Sequence, residues 1–184
     1  MVSAQKALVI VDIQNDYFKG GKYELVGIDE AAKNAQTTLE HFRTNKLPII
    51  HVQHFFVGEG APFFVPETHG SEINDLVKPK EGETLITKNY PSSFRETKLH
   101  ETLQNLKIND LVVVGAMSHM CIDTTVRAGA DLGYTITVLH DACATRDLEF
   151  NGKTVKAADV QTAYMSALGF AFAKIVSTEE FLKQ

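Results

Sequence analysis

The sequence predicts an α/β fold: one domain, residues 1–184, in which helices cover both faces of a doubly wound, mostly parallel sheet. Three observations lead to this prediction. The candidate strands are continuous apolar runs, as in strands that are buried on both faces. Helical patterns separate most of these runs, which implies right-handed crossover connections. The chain, at 184 residues, is long enough for one complete hydrophobic core and short for two.

Six apolar runs are the predicted strands. The first, "ALVIVD", is apolar until its last residue and does not alternate, which favours a fully buried parallel strand. The others are shorter or less regular, but each is bounded by polar or turn-forming residues. The six runs cover residues 7–12, 47–53, 83–88, 111–115, 134–140 and 174–178.

Four segments have the apolar periodicity of a helix. Asp29 is a candidate N-cap for the first, and Leu99, Leu103 and Leu106 form one apolar face on the second. Ser177 to Glu180 match a capping box for a terminal helical turn. The predicted helices cover residues 29–45, 96–107, about 121–132 and 155–170.

One long segment, residues 54–82, has neither pattern. It is rich in Gly, Pro and Phe, and so long a connection in a compact domain usually has a function. Its exposed part, residues 54–70, could close over a binding site or pack against another subunit. The sequence leaves both interpretations open.

Composition excludes several classes of protein. The formal net charge of −5 provides no basic surface for nucleic acid. The two cysteines, Cys121 and Cys143, cannot form a disulfide framework, and no C-x-x-C pair suggests zinc. We interpret Cys143 as a buried small residue. The N-terminal apolar run is too short to span a membrane and has no cleavage-site pattern, so we expect a cytoplasmic protein.

Three polar residues lie at the ends of predicted strands. Asp12 ends the first strand, Lys88 ends the third, and Cys121 follows the fourth. Each alone has an ordinary interpretation, as a turn residue, a surface lysine and a core thiol. Ligands bind beyond the carboxyl ends of the strands in such sheets, so we expect the three to converge there. Together they supply a proton acceptor, a cation and a nucleophile, and a helix N-terminus at Cys121 would favour its thiolate.

Four segments resemble the isochorismatase-like cysteine hydrolases, the superfamily that includes nicotinamidases and N-carbamoylsarcosine amidases. "LVIVDIQNDY" is similar to the motif with the acid, "TKNYPSSF" to the lysine motif, and "VVGAMSHMCIDTTVRAGADLGY" to the nucleophile segment. "VLHDACAT" is similar to the stretch after the fifth strand. The resemblance covers nearly the whole chain and implies an isochorismatase-like, Rossmann-like three-layer sandwich.

The resemblance also implies roles for individual residues. Asp12 would be the general base and later the acid, Lys88 its electrostatic partner, and Cys121 the nucleophile. A non-proline cis peptide between Ala116 and Met117 is implied as well. The backbone N–H groups of Met117 and Cys121 would then hold the oxyanion. The implied reaction cleaves the C–N bond of a small amide or lactam through a thioester and needs no cofactor.

Two departures narrow the resemblance. Isochorismatases that hydrolyse a vinyl ether carry glycine at the nucleophile position, where this chain has Cys121. Nicotinamidases carry an Asp-x-His metal motif after the second strand, where this chain has "HVQHFF". His51 and His54 are three residues apart, so on a strand they face opposite sides and are poor joint ligands. The chain looks most similar to the broad amide-hydrolase branch, which includes streptothricin hydrolases, and we predict no metal site.

Aromatic residues are candidates for the wall of an apolar substrate pocket. The predicted substrate-binding residues are Phe18, Phe56, Phe64, Tyr90 and His119. His119 is also a candidate base for a Cys–His pair, but its place two residues from Cys121 equally fits the mouth of the site.

Two alternatives to the amide hydrolase remain: a vinyl-ether hydrolase, and a protein of the same fold that uses Cys121 as a redox or ligand-binding thiol without turnover. Because a sensor thiol needs a cation but no proton-returning acid, Asp12 together with Lys88 favours an enzyme. The expected partners are a small-molecule amide and further copies of the chain, since members of the resembled family are commonly dimers or tetramers. No nucleic acid or membrane is expected.

Overall fold

The computed structural model describes residues 5–183 and contains one parallel sheet of six strands. The strands of the described chain are β1 Gln5–Val11, β2 Ile49–His54, β3 Thr84–Lys88, β4 Ile108–Ala116, β5 Thr135–Ala144, β6 Leu148–Phe150, β7 Lys153–Val155 and β8 Lys174–Val176. The sheet order is β3-β2-β1-β4-β5-β8, and every neighbouring pair is parallel. The predicted fold class is confirmed.

Helices cover both faces of the sheet because alternate residues of the central strand face opposite sides. Leu8 and Ile10 of β1 pack in one apolar cluster with Leu39 and Phe42. The facing cluster takes its residues from β1, β4 and β5 and from helices on the other side. The α-helices are α1 Ile28–Thr44, α2 Leu99–Asn105, α3 Asp123–Asp131, α4 Ala157–Ala171 and α5 Thr178–Leu182. Helices α1 and α5 lie on the first face and α2, α3 and α4 on the second.

The order of the strands reverses between β1 and β4. The chain builds outward from β1 to β3 and then returns to the other side of β1, so the crevice between β1 and β4 is a topological switch point. Gly115 lies there, paired with Val11 and with a φ of +130°. A Cβ at this position would be 1.9 Å from the carbonyl oxygen of Val11, so only glycine lets β4 pass this close.

Three of the sequence expectations for helices are wrong in detail. Gly27 is the N-cap of α1, and Asp29 lies in the first turn and does not cap the helix. Helix α2 begins only at Leu99, and Leu106 is 41% exposed, outside the apolar face that was predicted. A turn of π-helix, Ser118–Ile122, precedes α3, so Cys121 lies in that turn. The capping box of Ser177 and Glu180 is confirmed.

The hairpin formed by β6 and β7 was missed. Its turn residues, Asn151 and Gly152, have φ values of 50° and 72°, which a type I′ turn requires. Helix α4 therefore begins at Ala157, two residues after the start of the predicted helix 155–170.

The long connection after β2 is partly a packed segment. Phe63 and Phe64 are buried against Tyr17, whereas residues 57–60 are exposed. Two short 3-10 turns, His69–Ser71 and Asp75–Val77, shape the rest of it. Among the described residues, no helix has the length and apolar character needed to cross a membrane.

Candidate active site

The three predicted catalytic residues lie together at the carboxyl edge of the sheet. Asp12 follows β1 directly, Lys88 is the last residue of β3, and Cys121 lies in the π turn after β4. Lys88 Nζ is 2.6 Å from Asp12 Oδ2 and 3.2 Å from Cys121 Sγ. The predicted convergence is confirmed, whereas the chemical roles of the three residues stay predictions.

A fourth side chain, His54, belongs to the same cluster and was missed as a functional residue. His54 ends β2 and is paired in register with Lys88 of β3. Its Nδ1 is 2.7 Å from Lys88 Nζ and 3.9 Å from Asp12 Oδ2. His51, on the opposite side of the strand, contacts Glu83 instead. The signal that could have identified His54 was its place at the end of the strand next to the one that carries Lys88.

The backbone around Asp12 locks the ends of β1 and β2 together. Asp12 has a φ of 53°, in the left-handed region that aspartate tolerates better than most residues. Its N–H donates to the carbonyl oxygen of Val52 over 3.1 Å. Gln14 accepts from the His54 N–H over 2.8 Å and donates to the His54 carbonyl oxygen over 2.9 Å. Asp12 and His54 are therefore fixed by one short segment.

The turn that carries Cys121 is closed by its own backbone. The peptide bond between Ala116 and Met117 is cis. The carbonyl oxygen of Met117 accepts from the N–H groups of Met120 and Ile122, over 2.9 and 3.2 Å. This π-helical turn, a conformation that is common at functional sites, holds the thiol over the end of β4.

Burial dominates the electrostatics of the cluster. Asp12, Lys88 and Cys121 are 0%, 2% and 5% exposed. Burial raises the pKa of Asp12 even though the ammonium of Lys88 opposes the rise. Burial, and next the Asp12 carboxylate, raise the pKa of the Cys121 thiol against the effect of Lys88. Burial alone would lower the pKa of Lys88, but attraction to Asp12 and Cys121 raises it.

The raised pKa of Cys121 is opposite in direction to the effect that was expected from a helix N-terminus at this residue. The ammonium of Lys88 needs an anion beside it, and the carboxyl of Asp12 is the more acidic of the two candidates. Lys88 lowers the pKa of Cys121, but it does not outweigh burial and the negative charge of Asp12. Burial and the charge of Asp12 thus favour the neutral thiol of Cys121 beside the ion pair of Asp12 and Lys88.

Asp12, His54 and Cys121 also form a set of donor atoms that could surround a cation. One donor atom from each lies within 4.8 Å of the others. The Nζ of Lys88, however, lies between 2.6 and 3.2 Å from a donor atom of all three. The ammonium thus takes the place that a metal ion would need, and the donor set does not fit a resident metal while Lys88 is present.

The predicted pocket residues have different positions. Phe56 and Phe64 lie beside the cluster, with ring centres 4.6 and 6.2 Å from that of His54. Phe18 is half-buried and packs against the aromatic cluster of Tyr17. Tyr90 is stacked by Arg95, whose guanidinium carbon is 3.7 Å from the ring centre. Substrate binding by these residues stays a prediction.

His119 is hydrogen-bonded away from the sulfur. Its Nδ1 is 2.6 Å from Thr145 Oγ1, and burial followed by the charge of Arg146 lowers its pKa. Within residues 5–183, Cys121 receives its hydrogen bond from Lys88 and none from His119. Cys121 and His119 therefore do not form a hydrogen-bonded pair. Cys143 is buried, as predicted, and burial raises its pKa to about 12.

A comparison with known proteins identifies the family. The model of the isochorismatase domain matches residues 6–180. A crystal structure of an isochorismatase-family hydrolase from Oleispira antarctica superposes with a TM-score of 0.96 at 47% identity, covering 100% of this chain and 99% of that one.

Two curated relatives differ in the chemistry that their names state. The secreted isochorismatase effector Isc1 of Verticillium dahliae is 36% identical over 94% of this chain and 88% of its own length. A streptothricin hydrolase of Streptomyces noursei is 32% identical over 78% of this chain and 51% of its own length. The domain match, the superposed structure and both relatives lead to one conclusion: the chain belongs to the isochorismatase family of hydrolases.

Proposed function

We propose that the protein is a metal-independent cysteine hydrolase that cleaves the C–N bond of a small amide or lactam through a thioester on Cys121. One observation carries the proposal. The ammonium of Lys88 contacts both the sulfur of Cys121 and the carboxylate of Asp12, over 3.2 and 2.6 Å. A nucleophile, a proton acceptor and the cation that balances either anion are thus in mutual contact.

The proposed reaction begins with proton transfer. The Cys121 thiol gives its proton to Asp12 while sulfur bonds to the carbonyl carbon. The negative charge moves from the carboxylate to the substrate oxygen, and the N–H groups of Met117 and Cys121 hold it there. When the C–N bond breaks, Asp12 gives the proton to the departing amine. The raised pKa of Asp12 supports this role, because it makes the carboxylate a stronger base and moves its pKa toward the neutral pH at which one group can both accept and return a proton.

Hydrolysis of the thioester reverses these proton movements. Asp12, ionised again, takes a proton from water as the water oxygen attacks the thioester carbon. The tetrahedral intermediate then expels the sulfur, which recovers a proton from Asp12, and the carboxylic acid leaves. Throughout the cycle Lys88 stays an ammonium beside whichever group is negative, so no step creates an unbalanced charge in the buried site.

A small substrate with an apolar part fits the surroundings best. The reacting residues are almost completely buried, which excludes a macromolecular substrate from the sulfur as the chain stands. Phe56 and Phe64 border the cluster, and we propose that they, with Phe18, Tyr90 and His119, contact the substrate. The name of a further relative, a ureidoacrylate amidohydrolase of Cronobacter sakazakii, supports an amide as the bond that is cleaved.

A vinyl-ether hydrolase is the second candidate, because the relative Isc1 is named an isochorismatase. The first candidate is favoured by Cys121, since a nucleophile in contact with a cation and a base serves acyl transfer and has no evident role in protonating a vinyl ether. A sensor thiol without turnover is disfavoured, because the raised pKa of Cys121 makes a poor sensor at rest.

The deciding experiment is a panel of small amides and lactams, with isochorismate alongside, assayed for amine or ammonia release and for pyruvate. A burst of amine, together with a mass adduct on Cys121 in acid-quenched samples, is expected for at least one amide. Cys121→Ser is the control and should give neither. Pyruvate from isochorismate without any thioester would reject the amide hydrolase in favour of the second candidate.

A further inference from the structure

The ammonium of Lys88 makes three contacts, and His54 supplies the third. An ammonium has three N–H donors and no acceptor. Within the described chain, Nζ of Lys88 lies 2.6 Å from Asp12 Oδ2, 2.7 Å from His54 Nδ1 and 3.2 Å from Cys121 Sγ. Each donor therefore has one partner, and the orientation of the ammonium is set by all three.

The contact also fixes the state of the imidazole. Because Lys88 can only donate, Nδ1 of His54 must be the acceptor, and the single ring proton must be on Nε2. A protonated imidazole would turn an N–H toward the ammonium and place two cations in contact. Burial, and next the charge of Lys88, lower the pKa of His54 to about 3, in agreement with a neutral ring.

The ring of His54 is held so firmly that it can serve as a fixed support. Gln14 binds both the N–H and the carbonyl oxygen of His54, and β3 pairs Lys88 directly beside it. The ring of Phe56 lies against the imidazole, and the side chain of His54 is 4% exposed. The acceptor at Nδ1 is therefore fixed relative to the strand that carries Lys88.

We propose that His54 is a positioning residue, which acts through Lys88 as a neutral Nε2–H tautomer and keeps one ammonium N–H directed at the sulfur of Cys121. Without the acceptor, the ammonium turns toward Asp12 and stabilises the thiolate less. The inference rests on the proposed function only in treating Cys121 as the nucleophile that Lys88 serves. Both tests below are made without substrate, so they are decided whether or not an amide is hydrolysed.

The first test is the tautomer itself, measured on the unmodified protein. In a long-range ¹H–¹⁵N spectrum, His54 should be protonated on Nε2 alone from neutral pH down to about pH 5, below the ordinary pKa of histidine. The resonance is assigned by its loss in His54→Asn. A proton on Nδ1, or an imidazolium at neutral pH, would overturn the proposal, because neither state can accept a hydrogen bond from Lys88.

The second test is the rate at which iodoacetamide alkylates Cys121, followed against pH by peptide mass spectrometry so that Cys143 is not counted. In His54→Phe, which keeps a ring but has no acceptor, the rate at neutral pH should fall about tenfold, the effect of one unit in the thiol pKa. In His54→Asn, the amide oxygen takes approximately the place of Nδ1 and should restore the profile. If His54→Phe does not fold, His54→Gln replaces it, since its oxygen lies one bond too far out.

The matched control is His51→Asn, on the opposite side of the same strand, where the side chain contacts Glu83. Its alkylation profile should match that of the unmodified protein, because His51 does not contact Lys88. Coincident profiles for His54→Phe and the unmodified protein would refute the positioning role. A folded His54→Asn that is as slow as His54→Phe would refute it equally, because the acceptor would then not be the property that matters.

Discussion

The carboxylate of Asp12 and the ammonium of Lys88 are 2.6 Å apart, and neither side chain has exposed surface. Removing two charges from water costs more than their attraction commonly returns, so apolar residues in their place are often as stable or more so. Stability therefore does not explain this pair. The function proposed above does explain it, because the pair would supply the base and the balancing cation for the buried thiol that Lys88 contacts.

Asp12→Asn should lower both activity and stability. We expect turnover to fall by roughly 10²–10⁴, the usual contribution of a general acid–base group. The free energy of unfolding should fall by about 3–5 kcal/mol, because the charge of Lys88 stays buried without its anion. Asparagine tolerates the left-handed φ of this position, so backbone strain is not added. Urea unfolding and the amide assay measure the two effects.

The double variant Asp12→Asn, Lys88→Met is the control for that prediction. It removes both charges and should regain most of the lost stability while remaining inactive. If the single variant Asp12→Asn unfolds at the same urea concentration as the unmodified protein, the prediction is wrong. The buried charge of Lys88 would then not destabilise the fold when its anion is removed.

Lys88→Ala should convert the site into a zinc site. The substitution removes the ammonium from among the donor atoms of Asp12, His54 and Cys121, which already lie within 4.8 Å of one another. Carboxylate, imidazole and thiolate are all zinc ligands. Calorimetric titration with Zn²⁺ should show one site in Lys88→Ala and none at this cluster in the unmodified protein.

Lys88→Ala, Cys121→Ser is the matched control and should bind Zn²⁺ much more weakly. Equal affinity of Lys88→Ala and the unmodified protein would contradict the view that the ammonium takes the place of a cation. Exhaustive chelation should leave the unmodified enzyme active. Loss of activity together with a stoichiometric metal would reject the metal-independent proposal.

Glu83 should make stability depend on acid pH. Burial opposes its ionisation, but hydrogen bonds from Arg43, the Lys80 N–H and His51 outweigh burial and lower its pKa to about 2. The pKa in the folded state is thus below the ordinary value of 4.5, so ionised Glu83 stabilises the fold above that pH. This stabilisation, roughly 1–3 kcal/mol, is lost as the pH falls from about 4.5 to about 2. In urea unfolding, Glu83→Gln should have a lower free energy of unfolding than the unmodified protein at neutral pH. This difference should disappear as the pH approaches the folded pKa of Glu83, about 2.

A deficit of Glu83→Gln that stays constant with pH would mean that shape or hydrogen bonding, and not charge, is what the substitution removes. The Arg43→Lys variant tests the same contact from the other side. Lysine keeps the positive charge but not the paired N–H groups that donate to the Glu83 carboxylate over 2.7 and 2.9 Å. The variant should therefore retain only part of the stabilisation that this contact provides.

Gly115→Ala should destabilise the protein more than Gly133→Ala. Both glycines have a positive φ, so alanine is strained at each of them, by about 1 kcal/mol. Only at Gly115 would the new Cβ also meet backbone, the carbonyl oxygen of Val11. A Cβ at Gly133 would have no atom within 4 Å apart from those of the adjacent residues. Thermal unfolding of both variants measures the difference, and equal losses would contradict the close approach of β4 and β1.

The outer face of α4 should mediate self-association. Phe170 is 92% exposed, and the helix carries a single charged residue, Asp159, in its first turn. An uncharged helix face with an exposed aromatic residue is typical of an interface, and two copies would meet there without repulsion. Light scattering should show a dimer or tetramer, which Phe170→Glu dissociates while Leu132→Glu, at another exposed apolar site, does not. A monomeric unmodified protein would refute this expectation.

The meeting of Asp12, Lys88 and Cys121 was predictable because parallel strands end at one edge of the sheet, whatever their order. His54 was not, because its role depends on the pairing of β2 with β3, which places it beside Lys88. The direction in which the pKa of Cys121 shifts was not predictable for a related reason. Burial and two opposing charges act on the thiol at once, and their balance depends on distances that a sequence does not contain.

The hairpin of β6 and β7 shows the opposite case, since its signal was present in the sequence. Asn-Gly between two short runs is a strong hairpin signal, but the strands have three residues each and are mostly exposed. The predicted helix 155–170 included the last residue of β7, Val155, and the rest of the hairpin was left without a predicted structure. Local turn chemistry decided the structure where the longer pattern was ambiguous.

We expect the enclosed ion pair to select substrates by charge. One carboxylate and one ammonium, in contact over 2.6 Å, balance each other's charge in the buried cluster. A substrate with an ionised group next to its scissile bond would bring an unpaired charge into a region that excludes water, which is strongly unfavourable. The enzyme should therefore prefer acyl groups that are neutral around the carbonyl and carry any charge at a distance, where solvent can reach it.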